Sequence, residues 1–474
     1  MKRRAKIAAT LGPACDSTAT LSKMVRHGMD VARLNFSHGD AVGHYKIVRK
    51  LRAAARQSGK SVALLADLQG PRFRIGEVEG GELEIVTGSK VTLYAGNKRC
   101  PKGSLPVTYS ALARDVRAGD RVLIEDGRMA LRVRRVRDRR VDCDVEVGGV
   151  VKNHKGMNLP DSDLSVPALT KKDERDLLTA VELGADWLAV SFVRRAADIK
   201  RARRLLKKAG YEIPVLAKIE RAEAIERLDE ILDEADGLMV ARGDLGVELP
   251  SAQVPILQKE IIEKANAKGK PVITATQMLD SMRYSARPTR AEASDVANAV
   301  LDGSGCLLLT AETAAGEYPI ESISTMDEII LTAEASGRTA KAPVPIRELS
   351  ITNTTCHAGC YAAADVRAKA IIVVTRGGAT AFQTARFRPD TPIIAFTPTL
   401  ATQRRIALSW GVTAFKLGRK RSFHATLQQI DQFLLKHKLV PKSEIVVVLM
   451  GDPLGVATER TNSMRLHRVG SSLA

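Results

Sequence analysis

The strongest constraint on this chain is a rhythm. Short apolar runs recur, each ends in a polar or glycine-rich turn, and a stretch with helical spacing follows most of them. Ala5–Thr10 runs into Leu11-Gly12-Pro13, Val31–Phe36 into Ser37-His38-Gly39, and Val62–Ala66 into Asp67-Leu68-Gln69-Gly70. After a gap, Trp187–Val190, Pro214–Ala217, Gly237–Val240, Pro271–Ile273 and Cys306–Leu309 repeat the pattern. Apolar residues at helical spacing fill Leu21–Gly28, Asp173–Leu183, Ala196–Ala209, Ala222–Asp233, Val254–Lys268 and Arg290–Leu301. Eight strand-then-helix units predict an α/β fold built on a (β/α)8 TIM barrel; a doubly wound sheet shares the rhythm. In such a barrel the polar residues that follow the strands converge at one rim, where the active site is built.

Two regions break the rhythm. Pro71–Pro167 alternates apolar and polar residues, as in Glu82–Val86, Lys90–Tyr94 and Val141–Val147, with glycine and Asp-Gly turns between. It reads as a small β domain inserted at the catalytic rim, placed to close over the site as a lid. Beyond the stiff segment Ala342-Pro343-Val344-Pro345, Ile371–Thr375, Pro392–Ala395, Val412–Leu417 and Glu444–Leu449 read as buried strands of a smaller α/β domain. The expected division is barrel at 1–70 and 168–342, lid at 71–167 and C-terminal domain at 343–474.

Composition narrows the function classes. Lys and Arg outnumber Asp and Glu by 73 to 54, a net charge of +19, which raises nucleic acid as a partner. The basic residues are dispersed, however. The densest runs, Arg132–Arg140 and Arg201–Lys208, alternate with apolar residues as solvated faces do. Neither nucleic acid nor a membrane is expected as a partner. Of six cysteines, none forms a Cys-x-x-Cys pair; Cys356, His357 and Cys360 read as helix packing, not a metal site. With no disulfide framework, no apolar run of membrane length and no signal peptide after Met1, the expected location is the cytoplasm.

The polar turns carry recognisable motifs: Ala32-Arg-Leu-Asn-Phe-Ser-His-Gly39, Lys218-Ile-Glu220, Met239-Val-Ala-Arg-Gly-Asp-Leu-Gly-Val-Glu-Leu-Pro250, Ala275-Thr-Gln-Met-Leu279, Arg287–Ala299 and Ala311–Pro319. In order and over nearly the whole chain, these resemble pyruvate kinase. The resemblance implies phosphoryl transfer from phosphoenolpyruvate to ADP, with Mg2+ held by Glu220 and Asp244. It implies that Lys218 meets the transferring phosphoryl group, that Arg33 contacts phosphoenolpyruvate, and that the backbone at Gly243 and Asp244 with the Thr276 hydroxyl holds its carboxylate. No histidine stands in these motifs to protonate the enolate of pyruvate, and the resemblance gives that relay to Thr276 and Thr310. Many relatives carry Ser at Thr310, which keeps the hydroxyl. Thr10, Pro13, Asn35, His38, Arg74 and Lys155 fall at nucleotide-contacting positions.

The residue types suit that chemistry. Lys218 and Glu220 are two apart on one strand and face the same way. An ammonium, arginine forks and oxygen-bound Mg2+ neutralise the charge spread over a phosphoryl group in flight. The departure concerns K+. Relatives that bind it do so with residues matching Asn35, Ser37, Asp67 and the Leu68 carbonyl, and usually read Asp-Thr-Lys-Gly-Pro-Glu. This chain reads Asp67-Leu-Gln-Gly-Pro-Arg72; Leu68 and Gln69 match a K+-independent subgroup, which carries Lys where this chain has Arg72, so the Arg72 guanidinium is expected to supply the charge of K+ and make it dispensable.

In the last domain Thr375-Arg376-Gly377-Gly378-Ala379-Thr380 follows a strand, where relatives bind sugar-phosphate effectors or AMP; Gly377 departs from their serine. The resemblance also implies a homotetramer, with Arg287–Ala299 near a subunit contact. Two rival readings remain: a Mg2+-dependent lyase or aldolase acting on pyruvate enolates, and a non-catalytic sugar-phosphate-binding homologue.

Overall fold

All eight apolar runs of the first 310 residues are strands: β1 (Lys6–Thr10), β2 (Met29–Asn35), β3 (Ala63–Asp67), β4 (Trp187–Val190), β5 (Val215–Ile219), β6 (Gly237–Ala241), β7 (Val272–Ala275) and β8 (Cys306–Leu309). In the computed structural model, which describes residues 3–96, 100–338, 350–418, 422–451 and 461–471, each pairs in parallel with its sequence neighbours. β8 closes onto β1, with Lys6 opposite Cys306 and Ala9 opposite Leu309. Closure removes the doubly wound alternative, whose sheet has two edges.

The strands are buried on both faces because they serve two cores. Ile7, Leu64, Leu188, Val215, Val240 and Leu307 point outward and pack under the helices. Ala8, Val31, Leu65, Ala189, Leu216, Met239 and Leu308 point inward and fill the barrel. Helices Thr18–His27, Lys171–Glu182, Ala196–Lys208, Val254–Ala267 and Arg290–Leu301 fall where the spacing predicts them. The segment expected as one helix over 222–233 is two, Ala222–Glu226 and Leu228–Glu234, broken at Arg227. Ala41–Gln57 and Pro319–Ala335 add two helices beyond the sequence expectation.

Between β3 and the Lys171–Glu182 helix the chain folds into a seven-stranded sheet. Its outermost strands, Phe73–Arg74 and Leu105–Val107, meet: the Thr108 amide donates to Arg74 O (2.9 Å) and Ile75 bridges Val107. The sheet thereby curls into a small barrel around Leu93, Leu131, Val141 and Cys143. Its Arg132, Arg134 and Arg135 lie on strand Met129–Arg137, whose Leu131 and Val133 point into that core; the basic run is a largely solvated face.

The C-terminal sheet has strand order β11-β10-β9-β12-β13, with β9 (Ala370–Val374), β10 (Ile393–Thr397), β11 (Val412–Lys416), β12 (Ile445–Met450) and β13 (Ser463–Arg468). The first four match the apolar runs. The antiparallel edge strand β13 does not announce itself, because its sequence alternates with charges as a solvated edge does. The expected linker at Ala342–Pro345 lies outside the described residues. Cys356 and Cys360 are buried on helix Ile351–Asp365, their thiols facing the carbonyls of Thr380 and Thr384.

This domain docks on the barrel end where strands begin. Lys6 Nζ donates to Val412 O (2.8 Å) and Trp187 Nε1 to Arg405 O (3.1 Å). Buried Asp186 accepts from both Arg52 (3.1 Å) and Arg404 (2.8 Å). The opposite rim, where the strands end, faces the inserted barrel.

Candidate active site

The inward face of a strand repeats every second residue, so the core positions dictate what reaches the rim. Two residues past Ala8 stands Thr10; past Val31, Arg33; past Leu65, Asp67; past Ala189, Ser191; past Leu216, Lys218; past Leu308, Thr310. The barrel fold alone thus carries six polar side chains to its mouth. Glu220 is one further step along from Lys218.

These groups bond to one another. Lys218 Nζ lies 2.9 Å from Glu220 Oε1 and 3.2 Å from Asp67 Oδ1, and donates to Ser191 Oγ at 2.7 Å. Arg33 donates from Nε to Asp67 Oδ2 (2.7 Å) and from Nη1 to Thr10 Oγ1 (3.1 Å). Ser191 donates in turn to Leu68 O at 2.7 Å. Glu220 Oε2 accepts from the Phe192 amide at 2.6 Å. The Thr310 hydroxyl donates to Glu312 Oε2 (3.1 Å), and Glu312 also takes the Leu279 amide (3.1 Å).

Charge is not balanced here. Burial disfavours the ionised Asp67, but Lys218 and Arg33 outweigh it and hold Asp67 below the usual carboxylate range. Burial likewise disfavours the Lys218 ammonium, and Asp67 and Glu220 more than restore it. Glu220 goes the other way: burial raises it, Lys218 opposes that, and the charge of Asp244 adds to it. Two cations face three carboxylates, and Glu220 is the one left under-compensated.

Asp244 reaches this group from the short helix Arg242–Glu248, where the sequence suggested an open turn. The helix has its first turn at the end of β6, so Asp244 sits near the rim. Thr276 comes from the end of β7 in a left-handed conformation (φ +77°), as does Gln277 (φ +54°). A Cβ on Gly243 would lie 2.6 Å from Thr276 Cγ2, so only glycine lets this helix and the β7 loop touch.

The expected nucleotide-side residues lie around this centre, whereas the Thr375–Thr380 turn does not. Asn35 Oδ1 accepts from the Ser37 amide (3.0 Å). The imidazole pKa of His38 is pushed down by partial burial and then by the charges of Arg72, Arg33 and Arg74. Pro13 is exposed on a short 3-10 turn. Arg72, Arg74, Asn158, Phe192, Asp244 and Glu248 line a cavity of about 220 Å3 between the rim and the inserted barrel. Lys155 pairs with Glu125 of the insert (2.5 Å). Thr375–Thr380 lies on the other domain: Thr375 Oγ1 accepts from the Gly378 amide (3.0 Å), Gly378 is left-handed, and Thr380 Oγ1 pairs with Thr461 Oγ1 (2.7 Å).

Sequence reasoning missed three participants. Ser191 was findable by the two-residue inward step. Buried Arg221 holds Glu248 (3.1 Å), Leu159 O (3.2 Å) and Ser162 O (3.3 Å), tying the returning insert to the rim. Arg242 grips the β7 loop. Neither contact follows a sequence spacing.

Among the described residues no three His, Cys, Asp or Glu side chains form a metal cluster, and no helix is long and apolar enough to cross a membrane.

Comparison with known proteins fits this geometry. Residues 2–323 match the family model of the pyruvate kinase barrel domain, and residues 353–467 match that of its alpha/beta domain. A pyruvate kinase of Sporosarcina psychrophila is 41% identical over 100% of this chain and 81% of its own length. One from Mycobacterium tuberculosis H37Rv is 42% identical over 99% of each. A crystal structure of a pyruvate kinase from Cryptosporidium parvum superposes with a TM-score of 0.92 at 33% identity, covering 98% of this chain and 96% of that one. The chain belongs to the pyruvate kinase family.

Proposed function

We propose that the protein transfers the phosphoryl group of phosphoenolpyruvate to ADP, giving pyruvate and ATP. The observation that carries this reading is the set formed by partly buried Arg33 and buried Asp67, Lys218 and Glu220 at the mouth of the barrel, two cations held against carboxylates where an anionic substrate enters. Lys218 faces the phosphoryl group as its charge spreads over three oxygens, and Arg33 orients it. Gly243 and Asp244 present backbone to the substrate carboxylate. Thr276 and Thr310 pass the proton that turns the departing enolate into pyruvate.

Glu220 and Asp244 suit Mg2+. Both are hard oxygen donors, Glu220 carries charge its neighbours leave uncompensated, and Mg2+ needs few protein ligands because it keeps water and substrate oxygens. Held by Glu220 and Asp244, the ion would supply positive charge that offsets the negative charge of the phosphoryl group in flight.

Nucleotide-side contacts fall to Thr10, Pro13, Asn35, His38, Arg74 and Lys155. Lys155, held by Glu125, rides on the insert and reaches the phosphates as the lid closes. The 375–380 turn takes a sugar phosphate or AMP, the assembly is a homotetramer and the compartment is the cytoplasm; these readings rest on family likeness.

An assay reporting pyruvate, run with and without ADP, tests the activity. Pyruvate release that requires ADP and Mg2+ is expected. Pyruvate formed from a cleaved carbon skeleton without nucleotide would favour a lyase, and no turnover would favour a binding protein.

K+ is dispensable in this reading. Asp67 is engaged by Arg33 and Lys218, and the Leu68 carbonyl by Ser191, while the Arg72 guanidinium lines the cavity at the mouth and brings a permanent positive charge there. Turnover in tetramethylammonium buffer is expected to equal that in K+, and Arg72→Glu to create a K+ requirement. A steep loss of wild-type turnover on removing K+ would refute this.

A further inference from the structure

Thr276 is the least comfortable residue of the site. It is β-branched and left-handed, a backbone that such side chains rarely adopt, and Gln277 beside it is left-handed too. Its hydroxyl makes no hydrogen bond to any described residue, unlike that of Thr310. A strained conformation persists only where its surroundings over-determine it.

The hydrogen bonds that hold the loop come from one guanidinium. Arg242, the first residue after β6, donates from Nη2 to Thr276 O (2.7 Å) and Gln277 O (3.4 Å), and from Nε to Ala275 O (3.3 Å). It also contacts Met278 Sδ (2.9 Å). Three successive carbonyls are thus turned toward one cation. The guanidinium is itself fixed from behind: Nη1 donates to Asp295 Oδ1 (2.7 Å) and weakly to Gln258 Oε1 (3.4 Å). The Arg242 side chain is 13% exposed. Turning the carbonyls one way leaves the Thr276 side chain on the other, packed against the Gly243 backbone beside Asp244.

We infer that Arg242, aligned by Asp295, is a positioning residue that holds Thr276 in the left-handed conformation its proton relay requires. The inference rests on the role given to Thr276 above and adds the device that aims it. A lysine at 242 keeps the charge but not the planar fork, so it reaches one carbonyl where arginine reaches three.

The test separates proton relay from phosphoryl transfer. Exchange of the pyruvate methyl hydrogens with deuterated solvent, followed by proton NMR with Mg2+ present, reads the relay alone. Turnover of phosphoenolpyruvate and ADP reads the whole reaction. Thr276→Ala is expected to slow exchange about 10²-fold or more, as losing a positioned proton carrier does. Arg242→Gln should slow exchange and kcat in the same direction with little change in the KM for phosphoenolpyruvate. Arg242→Lys should restore part of the loss, and Arg242→Gln added to Thr276→Ala should cost nothing further. Asp295→Asn touches none of the three carbonyls and should give a smaller loss of the same kind, with thermal melts confirming that each variant is folded. A folded Arg242→Gln that exchanges like the wild type, while Thr276→Ala is impaired, overturns the positioning role and leaves the reading of Thr276 intact. Losses that multiply in the double variant also overturn it. Normal exchange in Thr276→Ala overturns both.

Discussion

Lys218→Met lowers kcat by about 10³–10⁵-fold, the range lost when a cation aimed at a transferring phosphoryl group is removed. The size follows from where the ammonium sits. It is buried, held by Ser191 at 2.7 Å and by two carboxylates within 3.2 Å, so it arrives at the transition state already desolvated and aimed. Methionine keeps the length and removes the charge. Glu220, then without its ammonium, takes up a proton instead of staying ionised in a buried site, and the fold survives. Steady-state kinetics with purified variant check this: kcat falls far more than the KM for phosphoenolpyruvate rises. Turnover near that of the wild type would remove Lys218 from its role.

Glu220→Gln is expected to have the second largest effect, through the metal. The amide oxygen still accepts from the Phe192 backbone, so the local hydrogen bond remains. The carboxylate charge that Asp244 and Lys218 feel is gone. Divalent-ion affinity should fall by more than the roughly 10–100-fold typical of losing an outer-shell partner. Titration with Mn2+ read by electron paramagnetic resonance measures this without turnover. Wild-type Mn2+ affinity in the variant would place the metal elsewhere.

Much of this site was legible because a parallel barrel obeys a simple register. Strands that must be apolar on both faces announce themselves as continuous runs, and inward positions recur at two-residue steps until they leave the core. Applied strictly, that step reaches Thr10, Arg33, Asp67, Ser191, Lys218 and Thr310 in one pass. Ser191 escaped the sequence reading because serine carries no chemical signature of its own, although the step points to it.

Other features were beyond reach for a physical reason. The grip of Arg242 on Thr276, 34 positions away, and that of Arg221 on Ser162, 59 positions away, depend on how neighbouring loops fold back. Nothing in the spacing of an arginine says which carbonyls it will find. The short helix at Arg242–Glu248 contains two glycines, which argue for a turn by propensity; packing at the rim overrides that preference. The edge strand Ser463–Arg468 carries three basic residues among its six, so its pattern reads as loop until a partner strand is known.

Phosphorus NMR of the protein with phosphoenolpyruvate, ADP and Mg2+ tests the central claim most directly. The enol phosphate resonance should decay while the γ-phosphate of ATP grows one for one. Decay into free orthophosphate without ATP, or no decay at all, would contradict the account.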